Sequence, residues 1–136
     1  MNLASTDFML RISSNPGNIR MLESFVERLA AEHKLNAEQY ANILVTLTEA
    51  VNNAIHHGNR LDERKKVLVH AEMQQSGLAI VIEDEGCGFD YRKLPDPTAK
   101  ENLTQIGGRG VFLMFNLCDS VRFHRNGCKV ELGFNL

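Results

Sequence analysis

Residues 49–58 read EAVNNAIHHG, and this segment combines an apolar side with an unusually polar one. If the segment belongs to a helix, each residue is turned by about 100° from the one before it. The apolar residues of this helix, including two that precede the segment, then share one side: Leu44, Leu47, Val51, Ala54 and Ile55. The polar residues share the other side: Glu49, Asn52, Asn53 and His56. The spacing therefore predicts an amphipathic helix that presents an acid and two amides on one face.

Local signals predict where this helix begins and ends. Asn36 is suited to the N-cap because its side chain can accept a hydrogen bond from a backbone amide of the first turn. Gln39 follows three residues later and completes a capping box. The helix is expected to run to His57, where Gly58 can adopt the left-handed conformation that ends many helices.

The polar face has two interpretations. One is an ordinary solvated outer face. The other is a binding surface, because two successive asparagines are poor choices for a helix interior. The oxygens of Glu49 and Asn53 lie one turn apart and can face one small hard cation such as Mg²⁺. Zinc binding by His56 and His57 is less favoured, because adjacent helix positions point in different directions.

A first glycine-containing stretch, VIEDEGCGFD, covers residues 81–90. A strand pattern runs into Asp84, and Gly86 and Gly88 follow. Glycines beside an acid at a strand end allow the backbone to approach a flat ligand, and Asp84 could accept a hydrogen bond from an exocyclic amine. A tight turn without a ligand is an equally open interpretation.

A second glycine-containing stretch, GGRGVFLMFNL, covers residues 107–117 and leads directly into an apolar helix pattern. Exposed amides at a helix N-terminus favour anion binding, and Arg109 adds a positive charge there. Neither stretch fits the Walker motif or the dinucleotide-binding motif, since no GK[ST] follows and no βαβ unit surrounds it.

The remaining sequence alternates between strand and helix patterns. Strands are predicted at residues 5–13, 67–73, 78–83, 121–123 and 130–134. Further helices are predicted at residues 18–34 and from about Gly110. Hairpin turns are predicted at residues 75–77 and at Asn126 and Gly127, and the long polar stretch 89–106 is a candidate lid. This order predicts an α+β two-layer sandwich, with a mixed, mostly antiparallel sheet and helices on one face.

Composition favours one domain that covers residues 1–136. The net charge of −2 and the pI near 6.2 give no electrostatic reason to expect nucleic acid or an anionic membrane as a partner. Cys87, Cys118 and Cys128 are odd in number and show no CxxC spacing. Reduced thiols in a cytoplasmic protein fit this usage, and no segment reads as a leader or a membrane span.

The three stretches, taken in order, resemble the Bergerat-fold ATPases, the superfamily of gyrase, the Hsp-ninety chaperones and histidine kinases. EAVNNAIHHG resembles the N box of that superfamily, DEGCG its first glycine box and GGRG its second. The wording TEAVNNAIHHGN and the ending GGRGVFLMFNLCDSV are similar to the anti-sigma factor serine kinases of bacterial partner switching. The resemblance covers nearly the whole chain.

The resemblance implies an ATP site with Mg²⁺ as cofactor and assigns roles by position. Glu49 matches the general base that takes the proton from a serine hydroxyl or water, and Asn53 matches the magnesium ligand. Asp84 matches the acid that binds adenine, with Gly86 and Gly88 in the turn beneath the base. These roles agree with the chemistry of phosphoryl transfer, which needs a positioned nucleophile and compensation of phosphate charge.

The second glycine box is expected to contact the phosphates. Gly108 and Gly110 match glycines whose amides meet the phosphates, and Arg109 between them is a candidate charge contact. The chain departs from the family pattern near its end, where Cys128 and Lys129 occupy positions often held by threonines. One such threonine supports the adenine contact through water, so this support is absent here, replaced by the cysteine or supplied from elsewhere.

The function implied is a protein-serine/threonine kinase that phosphorylates an anti-anti-sigma (STAS-type) partner and sequesters a sigma factor, in a homodimer. An ATP-gated binding module without useful turnover is the alternative, although Glu49 favours a kinase because binding alone needs no base. A histidine-kinase catalytic domain is disfavoured, since the chain begins with a strand rather than a helical hairpin. A nucleotide-binding fold with an unrelated role also stays open.

Overall fold

The structure is a computed structural model that describes residues 7–86, 114–124 and 128–136. Among the sequence predictions that lie outside the described residues are the lid at 89–106, the start of the last helix near Gly110, and the turn at Asn126 and Gly127. Residues 114–117 are helical and belong to the segment for which that last helix was predicted.

Two helices precede most of the sheet. A short 3-10 helix at Pro16–Arg20 leads into α1 at Met21–His33, and α2 occupies Ala37–Asn53. The capping box of α2 is confirmed: the Gln39 amide donates to Asn36 Oδ1 at 2.8 Å, and the Asn36 amide donates to Gln39 Oε1 at 2.9 Å. Among the helices in the described ranges, none is both long enough and apolar enough to cross a membrane.

Within residues 7–86, 114–124 and 128–136, five strands form one sheet in the order β1-β2-β3-β5-β4. Their bounds are Asp7–Ser13 for β1, Lys66–Gln74 for β2, Gly77–Asp84 for β3, Ser120–His124 for β4 and Lys129–Asn135 for β5. All four pairings are antiparallel. The expectation of a mixed sheet is therefore not met in this part of the chain, because every described pair of neighbouring strands runs in opposite directions.

The helices and one face of the sheet share a single apolar core. Alternation along the strands places every second side chain on this face. The helices contribute Leu22, Phe25, Val26, Leu29, Ile43, Leu47 and Val51. The strands contribute Val67, Val69, Leu78, Ile80, Ile82, Val130, Leu132 and Phe134. The α+β sandwich predicted from the sequence is confirmed.

The end of α2 differs from the prediction. The helix does not stop at a left-handed Gly58 but widens into a π-helical turn at Ala54–Gly58, closed by a bond of 2.7 Å from the Asn59 amide to the Ala54 carbonyl. Positive φ angles occur later, at Arg60 (52°) and Leu61 (62°). Gly58 is therefore not required for a left-handed conformation. Glycine is needed at this position because of close packing. Single π-helical turns of this kind are frequent at functional sites.

Candidate functional site

A cleft opens where the end of α2 meets the adjoining ends of β3 and β5. It is lined by Ala50, Asn53, Ala54, Ile82, Asp84, Met114, Phe123, Cys128 and Val130. Asn53 reaches the cleft because it closes α2, and Asp84 reaches it because it ends β3. Residues 31 positions apart in sequence, 53 and 84, are thus brought to one cleft whose remaining walls are mostly apolar.

Asp84 is the charged residue buried in this cleft, with 7% of its surface exposed. Its Oδ1 accepts a hydrogen bond of 2.9 Å from the Gly86 amide, and its own amide donates to the Cys128 carbonyl at 2.9 Å. Burial raises the pKa of Asp84, and the neighbouring carboxylate of Glu83 acts in the same direction, while the Gly86 amide acts against it. A desolvated carboxylate of this kind favours a specific donor over bulk water.

Gly58 and Gly86 allow the close packing around Asp84. A Cβ atom on Gly58 would overlap the carboxylate of Asp84, and one on Gly86 would overlap the carbonyl oxygen of Gly58. The turn after β3 therefore rests directly on the π-helical turn of the helix. Gly86 is in the turn predicted for it, and its close approach is to Gly58; its predicted place beneath the adenine stays a prediction. Gly58 was missed, since its sequence signal is indistinguishable from that of an ordinary helix stop.

Glu49 and Asn53 are both half-buried on α2. A spacing of four residues puts the two side chains about one turn apart on the same side of the helix. Asn53 lines the cleft with Asp84, whereas Glu49 does not. The described residues therefore join the predicted metal ligand to the predicted adenine-binding acid, and they leave the predicted base one helical turn away.

Cys128 lies at the edge of the cleft. Its Sγ donates a weak hydrogen bond to the Gly86 carbonyl across 3.5 Å, and its carbonyl receives the Asp84 amide. The residue thus links the start of β5 to the turn after β3. Phe123 and Met114, which also line the cleft, were not singled out from the sequence, because apolar residues in a strand or helix are usually core.

The donor set of the cleft suits Mg²⁺ only if a ligand supplies most of the coordination. The described residues contain no group of three His, Cys, Asp or Glu side chains that could hold a metal ion. The amide oxygen of Asn53 is a hard donor, and Mg²⁺ commonly takes one or two protein oxygens together with phosphate oxygens and water. Asn53 therefore fits a cation that arrives with phosphates.

Gly108, Arg109 and Gly110 lie outside the described residues, and so does Gly88 of the first box. Their roles in binding phosphate and the base stay predictions. The part of the site that the structure describes consists of the Asp84 carboxylate, its supporting turn and the helix that carries Asn53.

Comparison with known proteins places this chain in a family. The histidine kinase-like ATPase domain matches residues 12–134. The anti-sigma F factor of Clostridium perfringens is 30% identical over 116 residues, covering 82% of this chain and 79% of that protein. The serine-protein kinase RsbW of Bacillus subtilis is 23% identical over 119 residues, covering 83% and 74%.

Two further comparisons agree. The anti-sigma F factor of Shouchella clausii is 34% identical over 88 residues, which span 62% of this chain and 60% of that relative. The histidine kinase domain of a blue-light-activated histidine kinase from Erythrobacter litoralis superposes with a TM-score of 0.57 at 17% identity, over 92% of this chain and 62% of that one. This chain therefore belongs to the histidine kinase-like ATPase domain family, in the branch whose relatives are anti-sigma factors and RsbW-type serine kinases.

Proposed function

We propose that this protein is an ATP- and Mg²⁺-dependent serine/threonine kinase that phosphorylates a serine of an anti-anti-sigma (STAS-type) partner and sequesters a sigma factor. The observation that carries the proposal is the buried carboxylate of Asp84 in one cleft with Asn53. The names of the relatives, anti-sigma F factor and serine-protein kinase, support the same activity.

Recognition of the base depends on Asp84. Its carboxylate accepts a hydrogen bond from the exocyclic amine of adenine, while apolar side chains such as Ile82, Val130 and Met114 provide walls for the flat ring. The apolar surroundings strengthen this bond because water competes less for the carboxylate. The nucleotide selected is one that offers a donor at this position.

Phosphoryl transfer depends on the helix. Asn53 would hold Mg²⁺ through its amide oxygen, and the bound cation would compensate phosphate charge. Gly108 and Gly110 would donate backbone amides to the phosphates, with Arg109 beside them. As the serine Oγ forms its bond to the γ-phosphorus, the bond from that phosphorus to the ADP oxygen breaks, and Glu49 takes the serine proton.

A second candidate is an ATP-gated binding module. It is favoured by one observation, that Glu49 does not line the cleft shared by Asn53 and Asp84. In this function nucleotide binding controls partner affinity without transfer of phosphate. A homodimer is proposed under either function.

The decisive experiment is a pull-down of partner proteins on the immobilised protein, in the presence of ATP or of ADP, both with Mg²⁺. Mass spectrometry then searches the retained proteins for phosphoserine. A retained STAS-type protein that carries phosphoserine in the ATP sample and none in the ADP sample supports the proposed kinase activity. Retention that depends on the nucleotide, with no phosphoserine on any captured protein, contradicts the kinase and favours the binding module.

A further inference from the structure

Asn59 is a buried polar residue that does not line the cleft. It follows the π-helical turn directly, and only 1% of its surface is exposed. A buried carboxamide destabilises the fold unless its donors and its acceptor are paired. The contacts of Asn59 therefore show what the side chain holds in place.

The carboxamide of Asn59 joins the ends of three strands. Its Nδ2 donates to Ser14 Oγ at 2.7 Å and to the Lys66 carbonyl at 3.0 Å, which reaches the end of β1 and the start of β2. Its Oδ1 accepts from the Glu85 amide at 2.9 Å, just after β3. The Glu85 carboxylate in turn accepts from the Lys66 amide, so the start of β2 and the end of β3 are linked a second time.

The bond to Glu85 acts on the neighbouring Asp84. The peptide between these two residues is planar, so fixing the amide of one fixes the carbonyl group of the other. On its opposite side Asp84 is held by the hydrogen bond that its own amide donates to the Cys128 carbonyl. Of the groups that hold the Asp84 backbone on these two sides, the Cys128 carbonyl belongs to the main chain and the Asn59 oxygen to a side chain. Only the second can be removed by substitution.

We propose that Asn59 is a positioning residue that orients Asp84 for the exocyclic amine of an adenine nucleotide. The inference rests on the proposed ATP binding and adds a residue outside the cleft that sets its base selectivity. The physical reason is geometric, because a hydrogen bond weakens steeply as its angle departs from linearity. A turn free to rotate would keep the carboxylate in the cleft but lose its direction.

The test compares two ligands by calorimetry with Mg²⁺ present: ATP, and the triphosphate of unsubstituted purine riboside, which lacks the exocyclic amine. We expect Asn59→Ala to weaken ATP binding at least about fivefold, while the affinity for the amine-free nucleotide changes less than about twofold. Equal weakening of both ligands, or unchanged ATP affinity, would overturn the proposal.

Two further variants, Asn59→Ser and Ser14→Ala, separate the proposed effect from a general loss of folding. Asn59→Ser keeps a small polar group but lacks the carboxamide that reaches both Lys66 and Glu85, so it should show the same selective loss if Asn59→Ala does not fold. If neither Asn59→Ala nor Asn59→Ser folds, Asn59 is needed for folding itself and the proposal is overturned. Ser14→Ala is the matched control, since it removes a partner of Asn59 and keeps the bond to Glu85. It should bind ATP like the wild type.

The wild-type measurement separates this inference from the function on which it rests. Wild-type protein that binds neither nucleotide counts against ATP binding itself. If the wild-type protein prefers ATP to the amine-free nucleotide and the Asn59 variants keep this preference, the role proposed for Asn59 is contradicted and the proposed ATP binding is not.

Discussion

At the level of single residues, the hydrogen bond from Gly86 decides what Asp84→Asn should do. One side-chain oxygen already accepts from the Gly86 amide, so the new amide would keep its oxygen there and turn its NH₂ group toward the cleft. Two donors would then face each other at the adenine amine. We expect ATP and ADP to bind more weakly by roughly 1–3 kcal/mol each. Calorimetry with both nucleotides measures this, and wild-type affinity would reduce Asp84 to a turn residue.

The raised pKa of Asp84 also predicts how stability varies with pH. Between its ordinary pKa of 3.8 and its higher pKa in the folded state, Asp84 binds more protons in the folded protein than in the unfolded chain. The free energy of unfolding should therefore fall as the pH rises through this window. Asp84→Asn lacks the titrating group, so the difference in unfolding free energy between the two proteins isolates the effect. Denaturant titrations at a series of pH values measure it, and a difference that does not vary with pH contradicts the burial of the charge.

Glu49 and Asn53 should separate catalysis from binding. Glu49→Ala is expected to slow phosphoryl transfer by about 10²–10⁴-fold and leave ATP affinity nearly intact, because a general base acts mainly in the transition state. Asn53→Ala should lose Mg²⁺-dependent affinity as well as transfer. A γ-phosphate transfer assay with the cognate partner, beside a binding titration, checks both. Undiminished transfer by Glu49→Ala would favour the ATP-gated binding module.

At the level of elements, the contact between the π-helical turn and the turn after β3 can be tested through Gly58. Gly58→Ala places a methyl group where the Asp84 carboxylate lies, so the carboxylate must move. We expect a loss of about 1–3 kcal/mol in the free energy of unfolding, as for other overpacked sites, together with weaker ATP binding. Thermal unfolding and calorimetry measure the two effects.

Gly17→Ala is the matched control for that substitution. Gly17 is exposed, far along the chain from the cleft, and a Cβ atom there would lie 3.3 Å from Asn15 Oδ1. This variant should keep wild-type ATP affinity. Unchanged nucleotide binding by Gly58→Ala would show that the position of Asp84 tolerates displacement.

The elements differ in how far the sequence could predict them. The capping box fixes the start of α2 through residues three apart, and alternating apolar residues fix the strands, so both could be read locally. The role of Gly58 could not, because the carboxylate that packs on it comes from residue 84. Asn59 was missed for the same reason: its partners Ser14 and Glu85 are brought together only by the sheet.

At the level of the whole molecule, ATP binding should stabilise the folded chain. A ligand that binds only the folded state at about 100 times its Kd adds about 2.7 kcal/mol to the free energy of unfolding. We expect ATP with Mg²⁺ to raise the melting temperature and GTP to raise it far less, because guanine presents an oxygen where adenine presents its amine. Thermal melts with either nucleotide measure this, with Asp84→Asn as the control. Equal shifts with both nucleotides would contradict recognition through Asp84.

The order of the strands has a consequence for how the protein folds. β2 and β3 are joined by a turn at residues 75–76, whereas β3 and β5 pair across the intervening residues 85–128. Contacts between distant parts of a chain carry a larger loop-closure entropy and tend to form later. Asp84 is bonded to Cys128 across this late pairing. The cleft is therefore expected to assemble after the hairpin of β2 and β3, and the exchange of amide hydrogens in β5 should report its opening before that hairpin loosens.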